Sequence, residues 1–168
     1  MRLFIAIRFP GNIKDALSDT MADMRRQGIS GNFSRAENLH LTLAFLGEVE
    51  SPKIVCAAMD KVNAAPIRLE LGRGGSFRDL YWAGLKESPK LKDYVKRLRA
   101  QLRKDEIWFD SKAFNPHITI FRRAQNAEGI QLHIRKEAFT ADRISLMKSE
   151  RIDGKLVYTE IYSKELGE

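Results

Sequence analysis

The sequence predicts an α+β fold in which antiparallel sheets form two pseudo-symmetric lobes that face a central cleft, with helices on the outer faces. Three observations carry this prediction. Strand-like runs alternate with amphipathic helical runs along all 168 residues. An Asp-Gly pair at 153–154 separates two β-rich runs, as a hairpin turn does. A short motif also occurs twice, at residues 40–42 and 117–119, so that each half of the chain contributes one copy.

The first half of the chain reads as strand, helix, strand, helix. Residues 2–9 form an apolar run closed by a Pro-Gly pair, which is typical of a buried strand followed by a breaker. Apolar residues recur at helical spacing over residues 12–28 and again over residues 52–64, which predicts two helices with one core face each. Residues 33–46 lie between these helices and predict the strand that carries the first copy of the motif.

The second half continues this alternation. Residues 67–71 alternate like a strand. The glycine-rich run 72–75 that follows is interpreted as a plain turn, because it lacks the Lys-Ser/Thr ending of a phosphate-binding loop. Residues 80–85 predict another strand, and residues 89–104 predict a helix with an apolar stripe. The remaining predicted strands are the second motif strand, which follows Phe114, and the two hairpin arms 141–148 and 155–163.

Composition predicts one folding unit over residues 1–168, with no linker between the halves. Lysine and arginine number 29 against 22 acidic residues, and the net charge of +7 favours anionic partners such as nucleic acid or phosphates. No apolar run approaches the roughly 20 residues of a membrane span, and no export signal is evident. The single cysteine, Cys56, is expected to be a buried helix residue. A single cysteine indicates a reducing cytoplasm, and we expect no membrane partner. A monomer is the default expectation for one compact cleft.

The repeated motif is His-x-Thr in an apolar strand, at His40 and Thr42 and again at His117 and Thr119. Side chains alternate between the two faces of a strand, so each copy presents an imidazole beside a hydroxyl. Two of the three histidines in the chain occupy this setting. Chance packing explains the pair poorly, because buried imidazoles and hydroxyls need hydrogen-bond partners. The third histidine, His133, has no such companion and is expected to be structural.

Three kinds of site can use a pair of histidines. A zinc or iron site commonly adds a third protein ligand, and neither motif has a Cys, Asp or Glu at metal spacing. A nucleophilic site has no candidate, since Cys56 lies in a helical run and no serine sits in an elbow motif. Acid–base chemistry fits better, because an imidazole titrates near pH ~6.5, so one ring can accept a proton while the other donates one. We expect such chemistry on phosphorus, with no metal and no cofactor.

At these residues the chain resembles the 2H phosphoesterase superfamily, and within it the bacterial and archaeal RNA 2′,3′-cyclic phosphodiesterases, also called 2′-5′ RNA ligases. The resemblance covers most of the chain. It includes the opening at residues 2–7, the first motif with its flanks at 37–47, the strand at 80–85 and the second motif with its flanks at 114–122.

The resemblance implies a bilobal α+β fold whose motif residues line a central cleft. It also implies hydrolysis of a 2′,3′-cyclic phosphate at an RNA end to a 2′-phosphate, and some members join or reverse 2′-5′ linkages. By motif position, His40 is the general acid toward the 3′-oxygen and His117 the base for water, although the sequence leaves their order open. Thr42 and Thr119 then orient the phosphate, and Arg122 is a candidate oxyanion contact.

Two alternative functions remain open at this point. One is a phosphoesterase of the same superfamily that acts on a small cyclic nucleotide. The other is an RNA-binding module that keeps the cleft and the basic surface without chemistry.

Strand alternation raises a conflict at the end of the second motif. By alternation, His117, Thr119 and Phe121 share one face and Arg122 takes the other. Family members often have Ala before this arginine, where this chain has Phe121. Either Arg122 reaches the phosphate round the strand end, or a bulge breaks the alternation, or Phe121 lines the cleft as a candidate base-stacking residue.

Overall fold

The computed structural model describes residues 1–167, which form nine β-strands, three α-helices and one short 3-10 helix. Strands and helices alternate in the first two thirds, and the last third is strands alone. The elements in chain order are β1 (Arg2–Arg8), α1 (Gly11–Arg26), β2 (Ser30–Phe33), the 3-10 helix (Ala36–Asn38), β3 (His40–Glu48), α2 (Pro52–Asp60), β4 (Ile67–Phe77), β5 (Leu80–Leu85), α3 (Pro89–Lys104), β6 (His117–Gln125), β7 (Ala138–Ala141), β8 (Arg143–Ile152) and β9 (Lys155–Glu165).

The strands form two antiparallel sheets, and each sheet contains one motif strand. The first sheet has the order β3-β1-β8-β9, and the second has the order β2-β6-β5-β4-β7. His40 begins β3 and His117 begins β6. The α+β prediction with antiparallel sheets and one motif on each side is therefore confirmed.

The motif strands are anchored by apolar residues that alternate with the motif residues. Leu41 and Leu43 on β3, and Ile118 and Ile120 on β6, are fully buried. They belong to one contiguous core that includes residues of both sheets and of all three α-helices. Complete burial of each such side chain stabilises the fold by about 1.5–3 kcal/mol, so the opposite strand face, with the histidines, is turned away from this core.

The helices begin and end close to the predicted residues, with one exception. Ser88 caps α3 by accepting a hydrogen bond from the backbone N–H of Leu91 at 3.2 Å. Helix α2 ends at Asp60, four residues earlier than residues 52–64 predicted. The carbonyls of Asn63 and Ala64 instead accept hydrogen bonds from Arg97 and from the backbone of residue 167. None of the helices within residues 1–167 is long and apolar enough to cross a membrane.

The interpretation of residues 72–75 as a turn is wrong. Strand β4 runs through these glycines to Phe77, and the turn lies at Arg78 and Asp79. The glycines are needed for close packing: a Cβ on Gly74 would lie 2.6 Å from the side chain of Leu132. Sequence alone suggested a turn because glycine clusters usually mark one, whereas here the absence of side chains lets neighbours approach the strand.

The hairpin at the C-terminal end is confirmed. Asp153 and Gly154 connect β8 to β9 with φ values of +52° and +77°. Positive φ at both central residues is the signature of the two-residue turn that matches the twist of antiparallel strands.

Candidate active site

Both motif histidines are held by the same backbone contact. Nδ1 of His40 lies 2.7 Å from the carbonyl oxygen of Asn38, and Nδ1 of His117 lies 2.8 Å from that of Asn115. A carbonyl can only accept, so Nδ1 carries the proton in each ring. Nε2 is therefore the nitrogen that each ring can use for proton exchange. An Asn two residues before each histidine is a repeated sequence signal that marks this contact.

The two rings differ in their surroundings. His40 is half-buried, and its ring lies 4.8 Å from that of Phe4 and 5.1 Å from that of Tyr158, measured between centroids. Its Nε2 lies 2.9 Å from Oγ1 of Thr42. His117, by contrast, is exposed. The imidazole of His40 therefore packs against aromatic rings, whereas that of His117 is in contact with solvent.

The pKa of His40 is lowered from its ordinary value, chiefly because burial penalises the charged ring. The hydrogen bond to the Asn38 carbonyl acts in the opposite direction, and the charges of His117 and Arg122 lower the pKa further. These two residues come from the second sheet. The two motif strands β3 and β6 also contact each other, so the two motifs lie close together in the fold.

A β-bulge follows the first motif. Along β1 and β3, Ala6 pairs with Thr42 and Ile5 pairs with Ala44, so Leu43 is the extra residue. A bulge places two successive side chains toward the same side and shifts the alternation beyond it. Phe45 consequently joins the face of the motif, where the guanidinium of Arg2 lies 4.8 Å from its ring centroid.

A second bulge follows the second motif at the same position. Along β5 and β6, Trp82 pairs with Thr119 and Tyr81 pairs with Phe121, so Ile120 is the extra residue. Ile120 and Phe121 are both fully buried, and Arg122 is exposed. The bulge therefore resolves the conflict at the strand end, because it returns Arg122 to the face of Thr119.

The alternative in which Phe121 lines the cleft and stacks on a base is wrong. Its side chain is fully buried, and its ring stacks between those of Phe33, at 4.9 Å, and Tyr81, at 4.8 Å. Strict alternation could not reveal this, since the bulge at Ile120 depends on tertiary packing. The missed aromatic residues of the site are Phe4 and Tyr158, which come from strands far from either motif in sequence.

Tyr158 lies beside both His40 and a group of cations. Burial raises the pKa of its phenol, whereas the charges of Arg122, Arg2 and Arg151 lower it. The cleft therefore combines half-buried aromatic rings with guanidinium groups. Guanidinium groups of this kind can form charge-assisted hydrogen bonds with an anionic phosphate.

The other residues that the sequence singled out lie apart from this arrangement. Cys56 is half-buried on α2, and burial together with Asp60 raises the pKa of its thiol. His133 is exposed, and its backbone carbonyl accepts a hydrogen bond from Thr20. Within residues 1–167, no three His, Cys, Asp or Glu side chains are grouped in a way that could hold a metal ion.

Two antiparallel sheets that each present a His-x-Thr strand to one cleft define a protein of the two-histidine, or 2H, class. Comparison with known families agrees, because the model of the 2′-5′ RNA ligase superfamily matches residues 13–153. The chain belongs to that superfamily.

Individual relatives extend this similarity over nearly the whole chain. The chain is 29% identical to an RNA 2′,3′-cyclic phosphodiesterase of Escherichia coli, over 95% of this chain and 93% of the relative. It is 33% identical to a Thermotoga maritima protein of the same description, over 73% and 70% of the two chains. Among solved structures, E. coli LigT in apo form matches with a TM-score of 0.89 at 28% identity, over 99% of this chain and 98% of that one. LigT complexed with 3′-AMP matches with a TM-score of 0.86.

Proposed function

We propose that this protein is an RNA 2′,3′-cyclic phosphodiesterase, which hydrolyses the terminal cyclic phosphate of an RNA to a 2′-phosphate by two-histidine acid–base catalysis. The observation that carries the proposal is the shared geometry of His40 and His117. Each ring donates from Nδ1 to a backbone carbonyl and so keeps Nε2 for the reaction. Relatives with that name match this chain over most of its length.

The proposed reaction needs one base and one acid on opposite sides of the phosphorus. The base removes a proton from water as the water oxygen bonds to phosphorus, and the bond from phosphorus to the 3′-oxygen breaks. The acid donates its proton to that departing oxygen, so the product carries a 3′-hydroxyl and a 2′-phosphate. Thr42, Thr119 and Arg122 hold the phosphoryl oxygens as negative charge develops there.

We assign His40 as the acid toward the 3′-oxygen and His117 as the base. In the free protein, the lowered pKa of His40 favours its neutral form. An anionic phosphodiester bound in the cleft opposes this effect, because a nearby negative charge favours the protonated imidazole. Under this assignment, the substrate itself supplies the charge that prepares His40 to donate a proton. In the reverse reaction, ligation, the two histidines exchange roles.

The proposed partner is an RNA with a 2′,3′-cyclic phosphate end, and the proposed setting is the cytoplasm. The net charge of +7 supports attraction to a polyanion, and a single cysteine, which can form no internal disulfide, suits a reducing compartment. We propose that the protein acts as a monomer, since one chain supplies both histidines.

The direct test is incubation of the purified protein with adenosine 2′,3′-cyclic phosphate in the presence of EDTA. We expect 2′-AMP as the product, identified by chromatography against 2′- and 3′-AMP standards. Formation of 3′-AMP would overturn the assignment of the leaving oxygen, and activity that returned only with an added metal would contradict the proposed mechanism. Oligonucleotides with the same end test whether RNA is preferred over a mononucleotide, and binding without turnover would indicate an RNA-binding module.

A further inference from the structure

The second sheet presents an aromatic ring next to the phosphate-binding face. Trp82 on β5 lies directly opposite Thr119 on β6. Residues that face each other in an antiparallel pair project from the same side, with Cβ atoms about 5 Å apart. Trp82 therefore shares the cleft face with Thr119, and its side chain is partly exposed there.

Two glycines lie next to the indole of Trp82. Gly75 lies directly opposite Trp82 on β4, and a Cβ at Gly75 would lie 2.5 Å from the indole ring. Gly84 lies two residues further along β5, and a Cβ there would lie 2.6 Å from the backbone oxygen of Arg73 and 3.2 Å from the same ring. A side chain at Gly75 would displace the ring, so the indole lies directly against this glycine. The Trp82 side chain remains partly exposed.

The aromatic surface continues to the end of the sheet. Phe77 pairs with Leu80 at the end of β4 and so projects from the same face as Trp82. It is 68% exposed, although it is a large apolar side chain. The guanidinium of Arg78 lies 5.6 Å from its ring centroid. The face therefore carries Thr119, Trp82 and Phe77 in that order. Arg122 and Arg78 lie beside it.

We propose that Trp82 and Phe77 form a stacking platform for the bases of the RNA strand. The base of the terminal nucleotide stacks on Trp82, and the base before it stacks on Phe77. A ribose separates the phosphate from the base by a distance similar to that between the neighbouring positions of Thr119 and Trp82. The inference rests on the proposed function for the identity of the phosphate, but the platform itself binds nucleobases whether or not the cleft hydrolyses them.

The cost of this arrangement indicates that it is not simply core packing. Glycine in a strand interior destabilises by about 0.5–1 kcal/mol relative to alanine, and at Gly75 only the Trp82 ring occupies the space that a Cβ would take. An exposed phenylalanine at a turn adds no core packing either. Rings of this kind beside cations are typical of surfaces that bind single-stranded nucleic acid, because every base has a π face to stack on them.

The first experiment compares substrates with and without a base. Trp82→Leu should raise KM for adenosine 2′,3′-cyclic phosphate roughly tenfold, whereas Trp82→Phe should restore most of the affinity, because it keeps a π face. On ribose 2′,3′-cyclic phosphate, which has no base, Trp82→Leu should have no effect. Equal losses on both substrates would overturn the platform, because they would show that Trp82 acts on the phosphate site or on the fold.

A second comparison tests the order of the two rings. Phe77→Ala should raise KM for a dinucleotide with a cyclic phosphate end and leave that for the mononucleotide unchanged. Trp108→Ala is a matched control, since Trp108 is 66% exposed but lies beside Gly47 rather than on this face. If Phe77→Ala affected neither substrate, or both equally, the assignment of the second base would be wrong.

The third experiment needs no turnover. With Trp108→Phe, Trp82 is the sole tryptophan of the chain, and its fluorescence should be quenched when 2′-AMP binds. Gly75→Ala, which removes no contacting group, should weaken this binding because it lifts the indole. Quenching without hydrolysis of any cyclic phosphate would refute the proposed function and keep the platform. Hydrolysis without quenching, together with full activity of Trp82→Leu, would refute the platform and keep the proposed function.

Discussion

The hydroxyl of Thr42 lies 2.9 Å from Nε2 of His40, the nitrogen that this ring would use in the reaction. No side chain within residues 1–167 makes a corresponding hydrogen bond to Nε2 of His117. The neutral His40 ring accepts from Thr42, and the protonated ring donates to it, because Nδ1 is already occupied by the Asn38 carbonyl. The two otherwise similar motifs are therefore in different states before substrate binds.

This difference predicts unequal effects of removing the two hydroxyls. Thr42→Val should lower kcat/KM by roughly tenfold, in line with the loss of a hydrogen bond, and should also shift the ¹⁵N resonance of His40 Nε2. Thr119→Val, the matched control, should lower kcat/KM without moving that resonance. An unchanged His40 resonance in Thr42→Val would show that the bond is not made in solution.

The roles of the histidines can be separated with an altered leaving group. His40→Ala and His117→Ala should each lower kcat by about 10²-fold or more on the normal substrate, as expected when an acid or a base is lost. A cyclic phosphate with sulfur in place of the 3′-oxygen needs little protonation to depart. Substantial rescue of His40→Ala alone on this substrate would support His40 as the acid, and rescue of His117→Ala alone would reverse the assignment.

Arg122 and Arg123 offer a matched pair of exposed neighbours on β6. Arg122 is close enough to the cleft to lower the pKa of His40. We expect Arg122→Ala to lower kcat/KM by about 10²-fold, comparable to the loss of an oxyanion contact, and Arg122→Lys to recover part of it. Arg123→Ala should stay near wild type. Equal activities of the two alanine variants would show that Arg122 does not take part in catalysis.

The lowered pKa of His40 also predicts how stability depends on pH. The unfolded chain has an ordinary imidazole that titrates near pH ~6.5, so below this value it binds a proton that the folded state resists. The contribution of His40 to stability is therefore present above about pH 6.5 and declines as the pH falls toward the folded pKa. Urea unfolding at pH 7.5 and 5.5 should show a smaller decline for His40→Gln than for wild type. An equal decline in both proteins would count against the shift.

Phe121 is predicted to matter for the fold and not for the base of the substrate. Its ring is fully buried between Phe33 and Tyr81, and Phe121→Ala should lower the free energy of unfolding by about 3–5 kcal/mol. Phe121→Leu should cost less and leave KM for the cyclic nucleotide unchanged. A selective rise in KM for substrates with a base would restore Phe121 as a stacking residue.

Much of the fold was accessible from the sequence because its signals are local. The apolar stripes of α1 and α3, the alternation around His40 and His117, and the Asp-Gly turn at 153–154 each lie within one element. The α+β class was predicted correctly for that reason. The superfamily was predicted correctly from the resemblance at the two motifs and their flanks.

The errors arose where distant segments determine local structure. Whether Gly74 and Gly75 end a strand or lie within it depends on Leu132, which is distant in sequence, and on pairing with Trp82 of the neighbouring strand β5. The bulge at Ile120 depends in the same way on pairing with β5. The aromatic rings that pack against His40 are Phe4 on β1 and Tyr158 on β9, which lie at opposite ends of the sequence.

The matched bulges at Leu43 and Ile120 make Phe45 and Arg122 equivalent positions in the two halves of the cleft. One half places an aromatic ring there, and the other places a permanent positive charge. Two strands with equal side chains at these positions would present the same surface to the proposed cyclic phosphate in either of two orientations. We infer that this difference, together with the unequal surroundings of His40 and His117, favours one orientation of that substrate.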